Sequence, residues 1–307
     1  MLRRSLGLVL GLRAISSAAE QQQRTVLVTG AARGIGAAIA NKFAHSGARV
    51  ILHFRSDPDA AEQVRRSLPA ASDSDHVCLQ QDLQPAGASD ALIEAAIAAC
   101  GRVDVLVCNH AIYEETPVTT SNAAEWSASF ERVLRTNLAA PAELSFAFAS
   151  HARDRGGGGA IIFVSSRGAY RGEPLAAAYG ASKAGINSLT GSWAHRDEPT
   201  RTPPQPSRLR RAISHEASRI DSHARRLAQA LGSEGVRVAA VAPGFVATDM
   251  ASAVLASDRG DDIRRQSPFE RVGDVDEVAA AVHFLASDGA TWCTGAVLDC
   301  NGASYTH

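Results

Sequence analysis

Lysine is almost missing from this 307-residue chain: of its 31 basic residues only Lys42 and Lys183 are lysine, and the other 29 are arginine. The skew reads as a coding bias over most of the chain, and it makes a lysine at a chemically demanding position informative. Cysteine is sparse in pattern as well. Cys78, Cys100, Cys108, Cys293 and Cys300 are odd in number and form no Cys-x-x-Cys pair. That argues against a disulfide framework and against a zinc site, and predicts core thiols in a reducing compartment. No apolar run approaches the roughly 18 residues needed to cross a bilayer. The formal charge is only −1, which removes any general reason to expect nucleic acid as a partner. Twelve prolines and 25 glycines are too few for a disordered or collagen-like chain.

Two segments differ from the rest. Residues 1–24 carry Arg3, Arg4, Arg13 and Arg24 against one acid, Glu20. Such an arginine-bearing, acid-poor leader resembles an organelle transit peptide, and sparse serine favours the mitochondrion over the plastid. A secretory signal built on Leu6 to Leu12 is the second reading, disfavoured by the missing disulfide pattern, and a cytosolic protein is the third. Residues 193–226 hold eight arginines, four prolines, three histidines and no glycine. Pro203-Pro204 forces an extended path there. The pattern of Tyr179 to Ser192 predicts an amphipathic helix, which Leu227 to Gly232 would continue if the ends were joined, so 34 residues interrupt one helix.

Elsewhere short β-branched runs alternate with alanine-rich stretches. The runs are Thr25–Thr29, Val50–Phe54, Val77–Gln80, Val103–Val107, Ala160–Ser165, Val236–Val241 and Ala296–Asp299. Helices are expected at Gly36–Ser46, Ala88–Cys100 and, as one long element, Ala123–His151. Near-continuous apolar strands separated by helices indicate a parallel sheet covered on both faces. The expectation is an α/β, doubly wound, seven-stranded parallel sheet of Rossmann type, forming a single domain over 25–307 that is interrupted by 193–226.

The first strand runs into Thr29-Gly30-Ala31-Ala32-Arg33-Gly34-Ile35-Gly36. Glycine at such a strand–helix turn lets the backbone approach a pyrophosphate at the helix N-terminus. The end of the second strand reads His53-Phe54-Arg55-Ser56, with no acid to bind an unphosphorylated ribose. Arg55 there and Arg33 in the loop both suit a 2′-phosphate, so the expected cofactor is NADP(H).

Further on, Tyr179-Gly-Ala-Ser-Lys183 places a tyrosine and a lysine on one helix face. An ammonium beside a phenol favours the phenolate and predicts a Tyr179 pKa lowered from about 10 toward the working range. Ser166 lies 13 residues before Tyr179.

Thr-Gly-x-x-x-Gly-x-Gly, together with the Ser–Tyr–Lys spacing, resembles the short-chain dehydrogenase/reductase family over essentially all of 25–302 apart from the interruption. The resemblance implies four catalytic residues: Asn137, Ser166, Tyr179 and Lys183. Tyr179 would donate a proton and Ser166 would polarise the carbonyl. Lys183 would tune Tyr179 and bind ribose, and Asn137 would anchor a water that relays protons to Lys183. Spacing favours Ser166 over its neighbour Ser165. The cofactor contacts implied are Gly30, Arg33, Gly34, Ile35, Gly36, Arg55, Ser56, Asp82, Leu83, Asn109, Tyr179, Lys183, Pro243, Gly244 and Thr248. No metal is implied. The family's Asn-Asn-Ala-Gly appears here as Cys108-Asn109-His110-Ala111, a departure that keeps one Asn.

The wording Phe-Arg-Ser, Tyr-Gly-Ala-Ser-Lys-Ala-Gly and Leu298-Asp-Cys-Asn-Gly302 is similar to 3-oxoacyl-[acyl-carrier-protein] reductases. That resemblance implies reduction of a 3-oxoacyl thioester, possible carriage of the substrate on acyl carrier protein, and a place in fatty acid biosynthesis. Arg153 and Arg155 are candidates for docking the carrier, with solvated surface charge as the plainer reading. An NADPH-dependent reductase of another ketone, aldehyde or quinone is the alternative. The variable substrate loop is expected between Ala247 and Phe269.

In the family the helix of Tyr179 and Lys183 also packs in a four-helix subunit interface, which implies a homodimer or homotetramer unless 193–226 blocks it. Three readings of that segment stand: a looped-out insertion, an arginine-rich extension that binds a partner, or non-coding sequence carried into the protein. Flanks that rejoin in register and the lack of an apolar period favour the last. A catalytically silent, cofactor-binding scaffold is a further alternative, set against the intact four residues. Without both segments 249 residues remain, with a net charge of −8, so any basic docking face must be local.

Overall fold

The computed structural model describes residues 23–70, 76–194, 231 and 234–306. The expected leader, apart from Gln23 and Arg24, and the interrupting segment, apart from Trp193 and Ala194, lie outside the described residues.

Seven strands form one parallel sheet: β1 (Thr25–Val28), β2 (Arg49–Phe54), β3 (Val77–Gln80), β4 (Val105–Cys108), β5 (Gly159–Val164), β6 (Val236–Pro243) and β7 (Val297–Cys300). Their order is β3-β2-β1-β4-β5-β6-β7. The chain therefore leaves β1 in one direction, returns, and builds outward from β4 in the other, so the switch point lies between β1 and β4. The helices are α1 (Gly34–His45), α2 (Pro58–Ser67), α3 (Ala88–Cys100), α4 (Ala123–Leu134), α5 (Ala140–Asp154), the short α6 (Gly168–Arg171), α7 (Ala177–Ala194), α8 (Asp249–Leu255), α9 (Gly260–Arg265) and α10 (Val275–Ala286).

Alternation along the strands explains the two layers. Val26, Val28, Val50, Leu52, Val105 and Val107 point to one face, packing with Ile39 and Phe43 of α1 and Val282 and Leu285 of α10. Leu27, Ile51, Leu106, Ile161 and Phe163 point to the other, against Leu92 of α3, Leu144 and Phe148 of α5, and Ile186 and Trp193 of α7. Both faces are buried, so the strands read as unbroken apolar runs.

Local signals set the ends of the elements. The Asp57 side chain accepts the Ala60 N–H at 2.9 Å and Pro58 opens α2. Asp274 and Glu277 form a capping box on α10. Gly87 and Gly101, at φ of 79° and 77°, bound α3.

Two expectations are corrected. The long helix over Ala123–His151 is broken by a π turn at Arg135–Ala139. Pro141 has no N–H to return to the carbonyl of Asn137 four residues back, so the α-helical ladder loses a bond where the turn widens. Of the five cysteines, all free, only Cys108 is buried; the other four are half-buried. Each of those four stands at the margin of the sheet or at a helix end rather than at its centre.

Candidate active site

Between the carboxyl ends of β1 and β4 the chain turns through Thr29 to Gly36. Gly30 and Gly34 adopt φ of +65° and +54°, in the left-handed region that side chains resist. A Cβ on Gly36 would lie 2.1 Å from the Gly30 carbonyl oxygen, so only glycine allows helix and strand this close approach. Asn109 at the end of β4 clamps the turn, its Nδ2 donating to the Thr29 oxygen at 3.0 Å and to the Gly30 oxygen at 3.1 Å. Thr248, entering α8, faces Gly34 from across the cleft, 3.5 Å from where a Cβ on that glycine would lie. Pro243 ends β6, and Gly244 is pressed so tightly on Asn301 that a Cβ there would stand 3.0 Å from its Cα and carbonyl oxygen.

Beneath this turn lie two histidines that the sequence reading did not assign to the site. His53 accepts the Gly30 N–H on Nδ1 at 3.3 Å and meets the Gln81 carbonyl through Nε2 at 2.9 Å. His110 meets the Thr136 carbonyl through Nε2 at 3.1 Å and Thr29 Oγ1 through Nδ1 at 2.8 Å. A carbonyl oxygen only accepts, so in both rings Nε2 carries the proton and Nδ1 is bare. Burial holds both neutral, pushing His53 down to about 4 and His110 down to about 3. The one legible sign of this pair was the departure of His110 from the family wording.

The donor set at the turn fits a phosphate-bearing dinucleotide. Arg33 is the N-cap residue of α1, yet no side chain caps that helix and no acid occupies its first turn, which leaves its N-terminal dipole to an anion. Arg33, Arg55 and Ser56 are exposed, and neither guanidinium joins an ion pair among the described residues. The nearest acid after β2, Asp57, is engaged as the cap of α2. Asp82 is exposed, its carboxylate accepting from the Gln84 N–H at 3.1 Å, and Leu83 is buried beside it. The Ile35 side chain packs against the core under the turn.

The four catalytic candidates converge at the carboxyl ends of β4 and β5. Ser165 is buried and directed away: its hydroxyl donates to Asn187 Oδ1 at 2.6 Å. Ser166, two residues past β5, accepts the Gly168 N–H at 3.0 Å, and its hydroxyl lies close enough to the Tyr179 phenol to favour the ionised form. Lys183 is buried, donates from Nζ to the Val164 carbonyl at 2.7 Å, and lies 5.6 Å from the Tyr179 ring centroid. Asn137 sits in the π turn, holds both the N–H and the carbonyl of Ile112, at 2.8 and 2.9 Å, and donates to Ser182 Oγ at 3.3 Å. Ser182 in turn donates to the Tyr179 carbonyl at 2.7 Å, so Asn137 anchors the helix that carries the phenol.

The expected lowering of the Tyr179 pKa is overturned here. Burial pushes this phenol up to about 12, opposed only in part by the hydrogen bond from Ser166. Burial also draws Lys183 down to about 8. Desolvation dominates both groups, and the ammonium is turned toward the backbone at Val164.

Beyond the expected four, Tyr113 packs edge-on against Tyr179 with ring centroids 5.2 Å apart. Glu173 and Arg171 flank the same ring pair. The segment between Ala247 and Phe269, expected from the sequence to form the substrate loop, contains α8 and α9. The carrier-docking candidates do not reach this cleft. Helix α5 runs back along the sheet, so Arg153 and Arg155 emerge at the amino ends of the strands, paired with Glu234 at 2.7 Å and Asp104 at 3.1 Å.

Residues 24–201 match the family model described as short chain dehydrogenase, and residues 217–302 match a second one, described as Enoyl-(Acyl carrier protein) reductase. An uncharacterized oxidoreductase of Methylorubrum extorquens is 30% identical over 91% of this chain and 96% of its own length. A 3-oxoacyl-[acyl-carrier-protein] reductase of Staphylococcus aureus is 31% identical over 92% of this chain and 98% of its own. Among solved structures, a short chain dehydrogenase from Burkholderia cenocepacia in complex with NADP matches with a TM-score of 0.71 at 26% identity, over 92% of this chain and 97% of that one. A proposed NAD(P)-dependent gluconate 5-dehydrogenase from Beutenbergia cavernae, with NADP bound at low occupancy, matches at 0.71 and 29%, over 92% and 96%. With more than half of its length matched, a parallel sheet of this order and a Ser–Tyr–Lys cluster beyond the carboxyl end of β5, the chain belongs to the short-chain dehydrogenase/reductase family of oxidoreductases.

Proposed function

We propose that the chain is an NADP(H)-dependent carbonyl reductase whose substrate is a 3-oxoacyl thioester, reduced to the 3-hydroxyacyl thioester. The observation that carries the reading is the meeting of the Ser166 and Tyr179 hydroxyls beside a buried Lys183. They meet next to an uncapped helix N-terminus flanked by Arg33 and Arg55. The nicotinamide supplies the hydride for the carbonyl carbon. Ser166 holds the carbonyl oxygen by hydrogen bond, and Tyr179 gives its proton to that oxygen as negative charge develops there. A phenol raised to about 12 stays loaded with its proton through the neutral range. Lys183 supplies positive charge beside the phenol and reaches for the ribose. Asn137 holds the Tyr179 helix in place through Ser182.

The thioester is favoured by relatives named as 3-oxoacyl-[acyl-carrier-protein] reductases, at about 30% identity. Reduction of another ketone, aldehyde or quinone is the second reading, favoured by the structural match to a proposed gluconate 5-dehydrogenase. Mitochondrial delivery by residues 1–24 and assembly as a homodimer or homotetramer belong to the same proposal and rest on the leader composition and the family helix interface. The deciding experiment follows NADPH oxidation with an acetoacetyl thioester and with a panel of simple carbonyl compounds. Turnover preferring the thioester supports the reading. Preference for another carbonyl moves the assignment to the second, and NADPH binding without any turnover makes the chain a silent scaffold.

A further inference from the structure

At the end of the sheet opposite the catalytic cluster, four arginines distant in sequence come together. Arg24 precedes β1, Arg102 precedes β4, Arg155 precedes β5, and Arg237 is the second residue of β6. These strands are neighbours in the order β1-β4-β5-β6, with about 4.8 Å between adjacent strands, so the four arginines are gathered at one end of the sheet. Together with Asp104, Asp288 and the glycines 157–159 they line a cavity of about 410 Å³.

Two carboxylates, Asp104 and Asp288, line the cavity with the four guanidinium groups. Asp104 takes Arg102, and Arg155 at 3.1 Å, on the same oxygen, while its other oxygen accepts the Thr25 N–H at 2.9 Å. Asp288 takes Arg24. Arg237 has no carboxylate and spends three bonds on the Leu285, Ala286 and Ser287 carbonyls at the end of α10. Arg24, Arg155 and Arg237 each carry five N–H donors, and two, two and three bonds respectively are placed on protein groups. The Arg155 Nε is buried without a partner. Burial holds Arg155 below the usual arginine range, with the like charge of Arg102 adding to the effect against the pull of Asp104. Arg237 is held low in the same way, by burial and then by Arg24. Arg24, Arg155 and Arg237 keep unused donors in a cavity lined by four arginines and two aspartates, in a chain whose matched domain is acidic. Gly158 leaves room beside it, since a Cβ built there would meet nothing within 4 Å.

We propose that this cavity is a second anion site, built to bind a polyvalent phosphate anion at the amino end of the sheet. Planar guanidinium forks converging from four strands match the tetrahedral oxygens of such a group. A six-residue strand such as β5 separates this site from the catalytic end by roughly 20 Å, so both can be filled together.

The test is calorimetric titration of pyrophosphate, inorganic phosphate and adenosine diphosphate into the full chain saturated with NADP+, which keeps the cofactor turn occupied. Pyrophosphate is expected to bind at one site. The Arg24→Gln and Arg102→Gln variants should each weaken it by about tenfold or more, while Arg153→Gln, outside the cavity, leaves it unchanged. Arg24 bonds only to an exposed carboxylate and one carbonyl, so its variant keeps the fold, which a melting curve verifies. Equal binding of pyrophosphate and adenosine diphosphate would identify nucleotide phosphates as the ligand, and preference for pyrophosphate would identify the free anion. Absence of heat in the saturated wild type overturns the proposal. So does unchanged affinity in both cavity variants, or loss of binding in an Arg33→Ala, Arg55→Ala double variant.

Discussion

The bare Nδ1 of His53 receives the Gly30 N–H at 3.3 Å, so the turn at the cofactor end of β1 rests on a buried imidazole from β2. Its neighbour His110, with ring centroids 6.2 Å apart, supports Thr29 in the same manner. Protonating His53 would put a donor where the Gly30 N–H needs an acceptor, and protonating His110 would turn the Thr29 hydroxyl toward the Val107 carbonyl at 3.2 Å.

That arrangement fixes the sign of an acid effect. Both histidines titrate lower in the folded protein, at about 4 and about 3 against 6.5 in the unfolded chain. Below pH 6.5 the unfolded chain takes up protons that the folded protein refuses. Their stabilising contribution is full above that pH and is lost as pH falls toward 4 and then 3, by up to about 1.4 kcal/mol per pH unit per ring. Urea unfolding at a series of pH values should show this slope, and His110→Gln should remove one proton's share of it. A slope unchanged in that variant would contradict the tautomer assignment.

Removing the phenolic oxygen should separate chemistry from binding. Tyr179→Phe is expected to lower kcat by about 10² to 10⁴, while NADPH affinity measured by fluorescence changes little. Near-normal turnover would exclude Tyr179 as proton donor.

The two arginines near the turn should set the cofactor preference. Arg33→Ala and Arg55→Ala are each expected to raise the NADPH dissociation constant by about tenfold, and the double variant should narrow the gap between NADPH and NADH. Competition titrations with both cofactors decide it; an unaltered ratio in the double variant would place the 2′-phosphate elsewhere.

A single methyl group should disable the turn. In Gly36→Ala the new Cβ meets the Gly30 oxygen at 2.1 Å, a backbone atom held by Asn109 Nδ2 at 3.1 Å with little room to shift. The expected result is a stability loss of about 1–3 kcal/mol or more and no measurable NADPH binding. A thermal melt and a cofactor titration like those of the parent protein would show that the turn yields.

Much of this was legible along the chain because it is written in local pattern. The run Val77–Gln80 and the helix Ala88–Cys100 fall as read, since strand alternation and flanking glycines act over a few residues. Ser166 was separable from Ser165 by spacing alone, and the hydroxyl of Ser165 is indeed tied to Asn187. Hidden features depend on distance in sequence. His53 and His110 act through partners 23 to 81 positions away. Arg24 belongs by composition to the leader and Arg155 pairs in sequence with Arg153; only sheet order brings both into one cavity with Arg102 and Arg237. The Tyr179 pKa was misjudged for a related reason: one-dimensional spacing reveals a neighbouring charge but not the burial that overrides it.

The π turn at Arg135–Ala139 bears on how this segment tolerates change in length. Each helical residue advances the chain by about 100°. Deleting one residue there would let α4 run straight into α5 but would swing Leu144, Phe148 and Ala152 off the sheet and carry Asn137 away from Ile112. Side chains in this stretch are open to exchange, whereas its residue count is locked between the core packing of α5 and the anchoring of the catalytic helix.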